Sequence, residues 1–192
     1  MTEEQLQRVT VGELKPHDAP ITLVEYDHAW PENFAREAKR IKAALGKRAL
    51  MVEHIGSTAV PGLVAKPIID ILLVVADSAD ELSYVPALEA AGYVLRIREP
   101  DWHQHRFFKG PDTNINLHVF TLGSEEIRRM LMLRDWLRIN EADRELYTST
   151  KQSLASRNWK YVRSYADAKS EIIEAILERA KASLNSKVSI DS

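Results

Sequence analysis

Residues 53–70 read EHIGSTAVPGLVAKPIID, a segment that begins in one apolar run, 49–55, and ends in another, 67–75. Between the runs stands Gly56-Ser57, and the second run carries a single charge, Asp70. Glycine has no Cβ to hold a ligand at a distance, so a strand ending in Gly-Ser lets backbone N–H groups and a hydroxyl approach a phosphate closely. A carboxylate on the neighbouring strand can then hold the Mg2+ that bridges phosphate oxygens. An acid among Ile, Leu and Val is costly unless it is paired, metal-bound or protonated. The competing reading is an ordinary turn with Asp70 at a strand end, bonded to backbone. Short Gly-Ser signals are frequent, and the pattern alone does not choose.

Outward from this segment, 49–55 and 67–75 read as two strands, the second apolar almost throughout, as a strand covered on both faces would be. Upstream, ITLVEY (21–26) reads as a short strand. Pro31 suits the first turn of a helix in which Phe34, Ala38, Ile41 and Leu45 recur at helical spacing until Gly46. Downstream, a helix over about 79–91 stops at Gly92, and 93–98 is a further strand. HQHRFFK (103–109) and NINLHVF (114–120) form a hairpin around Gly110-Pro111-Asp112. From Ser124 the pattern is helical. Ser124 caps a helix beginning Glu125-Glu126, and Asn140 caps another with Asp143 in its first turn. The last helix carries Tyr165, Ile172, Ile173, Ile176, Leu177 and Ala180 on one face. Residues 1–20 read as a flexible arm and 185–192 as a frayed tail. Between them lies one domain, 21–184, with an α/β part over about 21–122 and a helical part over about 124–184.

The chain has 192 residues, 45% of them hydrophobic, enough to bury one substantial core. A formal net charge of -2 provides no global basic field, which argues against double-stranded nucleic acid as the main partner. The absence of Cys excludes disulfides, thiolate ligands and a Cys nucleophile, and fits a reducing compartment. The polar, acidic start is no secretory signal. The longest apolar run, 67–76, is about half the length of a spanning helix. These features lead us to expect a soluble, cytoplasmic protein with small-molecule ligands and no membrane association.

The longer segment EHIGSTAVPGLVAKPIIDILL resembles the signature of the GrpB family, a domain similar to the nucleotidyltransferase superfamily and sometimes fused to dephospho-CoA kinase. VEYDHAW with Pro31, the hairpin strand LHVF, LRDWLR and two Tyr/Lys spacings carry the same resemblance across about 21–180. It implies an α/β (α+β) fold: a nucleotidyltransferase-like mixed β-sheet with flanking helices and a C-terminal helical bundle, with a nucleotide in the groove between them. It also implies Mg2+-dependent transfer of a nucleotidyl group from a nucleoside triphosphate to a small acceptor. In that reading Gly56, Ser57 and Thr58 hold phosphate, and Asp70 holds the metal. Arg106 and His118 form a functional pair, the first clamping phosphate and the second acting as general base or orienting the acceptor. The sequence departs from the superfamily pattern of two carboxylates two residues apart with a third on a later strand. Ile68 and Leu72 flank Asp70 at that spacing, and the later strand offers Asn114, Asn116 and His118. Glu53 is another carboxylate on the strand before. A single Mg2+ on Asp70 and nucleotide oxygens is therefore the metal expectation. The alternative function is a non-catalytic module binding a nucleotide or CoA-like ligand.

His54, His103, His105 and His118 also admit a His-based metal site, since His-x-His on a strand puts two imidazoles on one face. The competing reading is polar hairpin residues. A turn centred on Pro111 sets Arg106 opposite Asn116 and Gln104 opposite His118, whereas a slip brings His105 near His118. In the helical half, Tyr147 and Lys151, and again Tyr165 and Lys169, stand four apart and share a helix face. Lys169 falls on the apolar stripe, so it either snorkels to water or, as the resemblance implies, reaches an anionic ligand with Lys151 and Tyr165. Lys66, just before the Asp70 strand, either touches phosphate or is a solvated loop residue. Arg134 and Asp135 read as a local salt bridge, and Trp30, Trp136 and Trp159 as packing anchors.

Overall fold

In the computed structural model, which describes residues 2–14, 21–112, 114–157, 159 and 161–188, the two apolar runs pair antiparallel. They are β1 (Met51–Ile55) and β2 (Ile69–Val75), with Ile55 opposite Asp70. β3 (Val94–Glu99), β4 (His105–Lys109) and β5 (Ile115–Thr121) complete one mixed sheet in the order β1-β2-β5-β4-β3, in which only β2 and β5 run parallel. Side chains alternate across a strand, so the central pair splits cleanly. Ile69, Ile71, Leu73, Val75, Ile115, Leu117 and Val119 enter the main core on one face. Asp70, Leu72, Val74, Asn116, His118 and Phe120 face the other way.

Two helices cover the first face. α2 (Trp30–Leu45) has Pro31 in its first turn, buries Trp30, Ala38, Ile41 and Leu45, and ends at Gly46, whose φ of +56° a residue with a Cβ rarely adopts. α3 (Val85–Ala90) is shorter than the helix expected over 79–91. Pro86 lacks an N–H and its ring would strike the carbonyl four residues back, so residues 81–83 form a separate 3-10 turn.

The opposite face carries the helical half: α4 (Glu125–Ile139), α5 (Glu141–Ala155), α6 (Val162–Asp167) and α7 (Ser170–Val188). Ile127 packs on Leu72, Val74 and Phe120, at the far end of β2 and β5 from Asp70. Asn140 caps α5 as expected, its Oδ1 accepting from the Asp143 N–H at 2.9 Å. Asp143 in turn accepts from Trp136 Nε1 at 2.6 Å and from Arg179 Nε at 2.9 Å, joining α4, α5 and α7. Ser124 makes no side-chain cap bond. The expected last helix is two, since the Lys169 N–H bonds back to Ala166 O and breaks the run between Tyr165 and Ile172. α7 then continues through 185–188, and the rest of the expected frayed tail lies outside the described residues.

Residues 2–14 are no loose arm. Thr2 and Gln5 form a reciprocal capping box that starts α1 (Glu3–Val9), and Leu6 is buried. Thr10 then bridges Ile97, and the Val11 N–H bonds Arg96 O at 2.8 Å, so the segment covers the outer edge of β3. Part of the expected arm, 15–20, lies outside the described residues. The strand expected at 21–26 reduces to a bridge between Val24 and Ala65, because its partner is the 56–68 loop and not the sheet. Val60 and Leu63 of that loop pack against Leu137, Tyr147 and Ile176, which fixes the turn after β1 against the bundle. Among the described residues, no helix is long and apolar enough to cross a membrane.

Candidate functional site

Asp70 lies on the bundle-side face near the start of β2, its side chain 28% exposed. Beside it, Gly56 has a φ of +70°, and a Cβ there would stand 2.5 Å from Asp70 Oδ2. Only glycine allows this approach. Asn116, the partner of Asp70 across the parallel pair, donates Nδ2–H to Asp70 Oδ1 at 2.8 Å and accepts from Lys109 Nζ at 2.6 Å. His118 Nε2 is 3.8 Å from the same Oδ1, an ion-pair separation too long for a hydrogen bond. Burial pushes the Asp70 carboxyl up, but the proximity of His118, the hydrogen bond from Asn116 and the charge of Lys169 outweigh it and hold the group below its ordinary range. Asp70 is therefore ionised at neutral pH.

Lysines from both halves of the molecule surround this carboxylate. Lys151, on α5, donates to Ser57 Oγ at 3.1 Å and to Val64 O, and its Nζ lies 4.8 Å from the Tyr147 ring centroid. Burial, reinforced by the charge of Lys169, lowers the Lys151 ammonium to about 7. Lys169, in the break between α6 and α7, places Nζ 4.6 Å from the Tyr165 ring centroid. Its pKa is lowered by burial against the pull of Asp70. Lys66 and Lys109 are likewise lowered, first by burial and then by a neighbouring lysine, Lys169 and Lys66 respectively, and both feel Asp70. The ammonium groups of Lys66, Lys109 and Lys169 thus share the field of one carboxylate, and Lys151 adjoins them through Lys169. The Tyr165 hydroxyl is buried with no hydrogen-bond partner among the described residues, and burial pushes it up to about 12.

The hairpin register decides the histidines. Phe107 stands opposite His118, Lys109 opposite Asn116 and Arg106 opposite Val119, a register that differs from both expected ones. Arg106 consequently points to the α3 side, donating to Glu81 Oε1 at 2.6 Å and to Gln104 O at 2.9 Å. The expected Arg106–His118 pair is not formed, because strand alternation puts the two on opposite faces. His105 takes that place, with Nε2 3.1 Å from His118 Nδ1 and Nδ1 2.7 Å from Glu99 Oε2. Thr58 is also turned away. Its buried hydroxyl donates to Ile68 O at 3.1 Å and lies 3.0 Å from His54 Nε2. His54 stacks on Phe34 of α2, and burial lowers it to about 4. Glu53, opposite Leu72 in the ladder, is paired with Arg134 at 2.7 Å, and Arg134 also bonds Asp135. The tryptophans expected as packing anchors are so placed: Trp30 is buried in the main core, and Trp136 and Trp159 spend their N–H groups on Asp143 and Leu154 O.

The site therefore unites Gly56, Ser57, Lys66, Asp70, His118, Lys151, Tyr165 and Lys169, and leaves out Thr58 and Arg106. Lys109, Tyr147 and Glu99 escaped the candidate list. Period-2 counting from His105 does put Lys109 on the His118 face, but only once the register is known. A metal centre built from several protein ligands does not fit. Among the described residues no three His, Asp, Glu or Cys side chains stand close enough to hold an ion, and lysines fill the surroundings of Asp70. A cavity of about 710 Å3 lies elsewhere, between α4, α7 and the β1 edge, lined by residues such as Met51, Leu131, Trp136 and Leu184 and by none of this cluster.

The family model for GrpB protein matches residues 20–179. The chain belongs to the GrpB family. A UPF0157 protein of Halalkalibacterium halodurans is 66% identical over 181 residues, covering 94% of this chain and 93% of the relative. A dephospho-CoA kinase of Mycobacterium tuberculosis is 36% identical over 163 residues, 69% of this chain but 39% of the kinase. Among solved structures, conserved protein GrpB from Enterococcus faecalis superposes with a TM-score of 0.69 at 33% identity, over 82% of this chain and 98% of that one. The Cid1 poly(U) polymerase bound to Mg 3'-dATP gives a TM-score of 0.50 at 11% identity, over 86% of this chain and 51% of the polymerase, a likeness of fold alone. The mixed nucleotidyltransferase-like architecture expected for a GrpB chain is thus the observed one.

Proposed function

We propose that this GrpB-family protein binds a nucleoside triphosphate between the Asp70 face of the sheet and the helical half, and transfers its nucleotidyl group to a small acceptor. The observation that carries this reading is the junction of Lys151 with Ser57 across the two halves, with Lys66, Lys109 and Lys169 around a single carboxylate. Burial disfavours the charged form of these ammonium groups, and a polyphosphate would stabilise it. Lys151, Lys169, Lys66 and Ser57 hold the phosphates in this reading, with Gly56 leaving room beside Asp70. His118 takes the proton of the acceptor hydroxyl, whose oxygen bonds the α-phosphorus as pyrophosphate leaves. A Mg2+ carried in on the nucleotide and touching Asp70 would neutralise phosphate charge.

A second reading, binding of a nucleotide or CoA-like ligand without chemistry, is favoured by Leu72 standing where a second carboxylate is expected. Calorimetric titration of ATP with and without Mg2+ tests the binding. We expect Lys151→Met and Lys169→Met each to weaken it about tenfold or more, equivalent to about 1.4 kcal/mol. Asp70→Asn should remove the Mg2+ enhancement and keep the fold. Wild-type affinity in both lysine variants would overturn the nucleotide site. Pyrophosphate release across a panel of hydroxyl acceptors separates the two readings, and its absence favours the binding module.

A further inference from the structure

Behind His118 lie two buried side chains that the binding of phosphate does not use. Glu99 and His105 are each 3% exposed. The His105 ring is stacked on Phe120, at 4.8 Å and 22°, and has Trp102 edge-on at 5.3 Å, while His118 lies near-parallel at its nitrogen edge, at 5.2 Å and 18°. Phe120 and Trp102 set its orientation. Glu99 Oε2, His105 and His118 then form consecutive contacts of 2.7 and 3.1 Å, each of which requires one proton.

The positions of those protons follow from the acid at the buried end. An ionised Glu99 can only accept, so His105 Nδ1 carries the hydrogen that it receives. A neutral His105 then has a bare lone pair at Nε2, and His118 must supply the hydrogen of the next bond from its own Nδ1. This leaves the His118 Nε2 lone pair facing the cleft, 3.8 Å from Asp70 Oδ1. Two acceptors thus look at each other across a gap that neither can bridge. A ligand group that donates a hydrogen there, with its heavy atom about 2.8 Å from each, would satisfy the pair, whereas a phosphate oxygen would be repelled.

We propose that Glu99 and His105 are positioning residues that hold His118 as the Nδ1–H tautomer, so that its Nε2 and Asp70 together accept from a hydrogen-bond donor on the ligand. Resting on the transfer reading above, that donor is the acceptor hydroxyl, and the phosphates lie on the lysine side of Asp70. The arrangement is the tautomer control by which a carboxylate behind an imidazole directs the opposite nitrogen.

Long-range 1H–15N NMR of the ligand-free protein at about pH 8, above the ordinary histidine range, reads the tautomer directly. We expect His118 to carry its proton on Nδ1 in the wild type and in Glu99→Gln, whose side-chain oxygen still accepts from His105. In Glu99→Met and in His105→Phe, which keeps the stacked ring, the His118 proton should move to Nε2, toward Asp70. A His118 that is Nε2–H or doubly protonated in the wild type would overturn the proposal, as would an unchanged Nδ1–H signal in both Glu99→Met and His105→Phe. If a variant does not fold, the wild-type spectrum alone still decides. No nucleotide is present in this experiment, so failure here leaves the ATP titration to stand or fall independently.

Discussion

At the scale of single residues, Gly56 and Lys151 are the positions where the local geometry has a measurable cost. Gly56→Ala combines a backbone at φ +70° with a Cβ that would meet Asp70 Oδ2 at 2.5 Å. We expect about 1–3 kcal/mol of destabilisation, from strain at an unfavoured backbone angle, seen as a lower denaturant midpoint, together with lost ATP affinity as Asp70 is displaced. Burial lowers the Lys151 ammonium to about 7 in the folded protein, against its ordinary 10.5 when unfolded. Between those limits the unfolded chain binds more protons, so stability rises with pH. The thermal midpoint of the wild type should therefore climb as pH rises from about 7 toward 10.5, the window between those two pKa values, and Lys151→Met should flatten that slope. A slope equal in both proteins would place the titration elsewhere. Gly56, Ser57 and Asp70 were legible at this scale because a turn and a misplaced charge are local signals. Thr58 and Arg106 were not, since whether a side chain faces a ligand or a neighbouring carbonyl depends on residues far along the chain.

At the scale of elements, caps and breakers explain both the successes and the corrections. The Pro31 start and Gly46 stop of α2 are local backbone chemistry, and so is the Asn140 cap of α5. Asn140→Ala removes the bond to the Asp143 N–H and should cost about 1 kcal/mol, the ordinary value of such a cap, in equilibrium unfolding. Asp143→Ala leaves Trp136 Nε1 without its acceptor and frees Arg179 from α5. A loss of about 1–3 kcal/mol is expected for an unsatisfied buried donor, with the midpoint again as the measure. The capping box at Thr2 and Gln5 was present in the sequence but short, and α1 is stabilised by the burial of Leu6 and by the pairing of Thr10 and Val11, just after it, with β3. Seven residues of helix are too few to persist without such packing. The α6–α7 break was invisible for the opposite reason, because the apolar spacing on either side of Lys169 is compatible with one uninterrupted helix.

At the scale of the whole molecule, the loop between β1 and β2 is held by both halves, with Ser57 bonded to Lys151 and Leu63 packed beside Tyr147 and Ile176. Sheet and bundle should therefore unfold together, in one transition seen alike by far-ultraviolet and tryptophan signals. A ligand that binds only the folded form adds about 2.7 kcal/mol at a hundredfold excess over Kd. We expect ATP to raise the thermal midpoint of the wild type with the logarithm of its concentration above Kd, and to do so far less in Lys169→Met. A midpoint insensitive to ATP would contradict binding between the halves.

The sequence by itself determined the apolar strand β2, the turn at Gly56 and the helices α4 and α5, because each is written in neighbours a few residues apart. It also carried the GrpB signature. Only the tertiary structure decided the β4–β5 register, which hands His118 to His105 and turns Arg106 to the far side. A one-residue slip in pairing exchanges the faces of a strand, and the forces that choose the register are the packing of Phe108, Leu117 and Val119 in the core. The cluster of lysines around Asp70 was likewise settled by the docking of helices from the second half of the chain, an arrangement that no local spacing encodes.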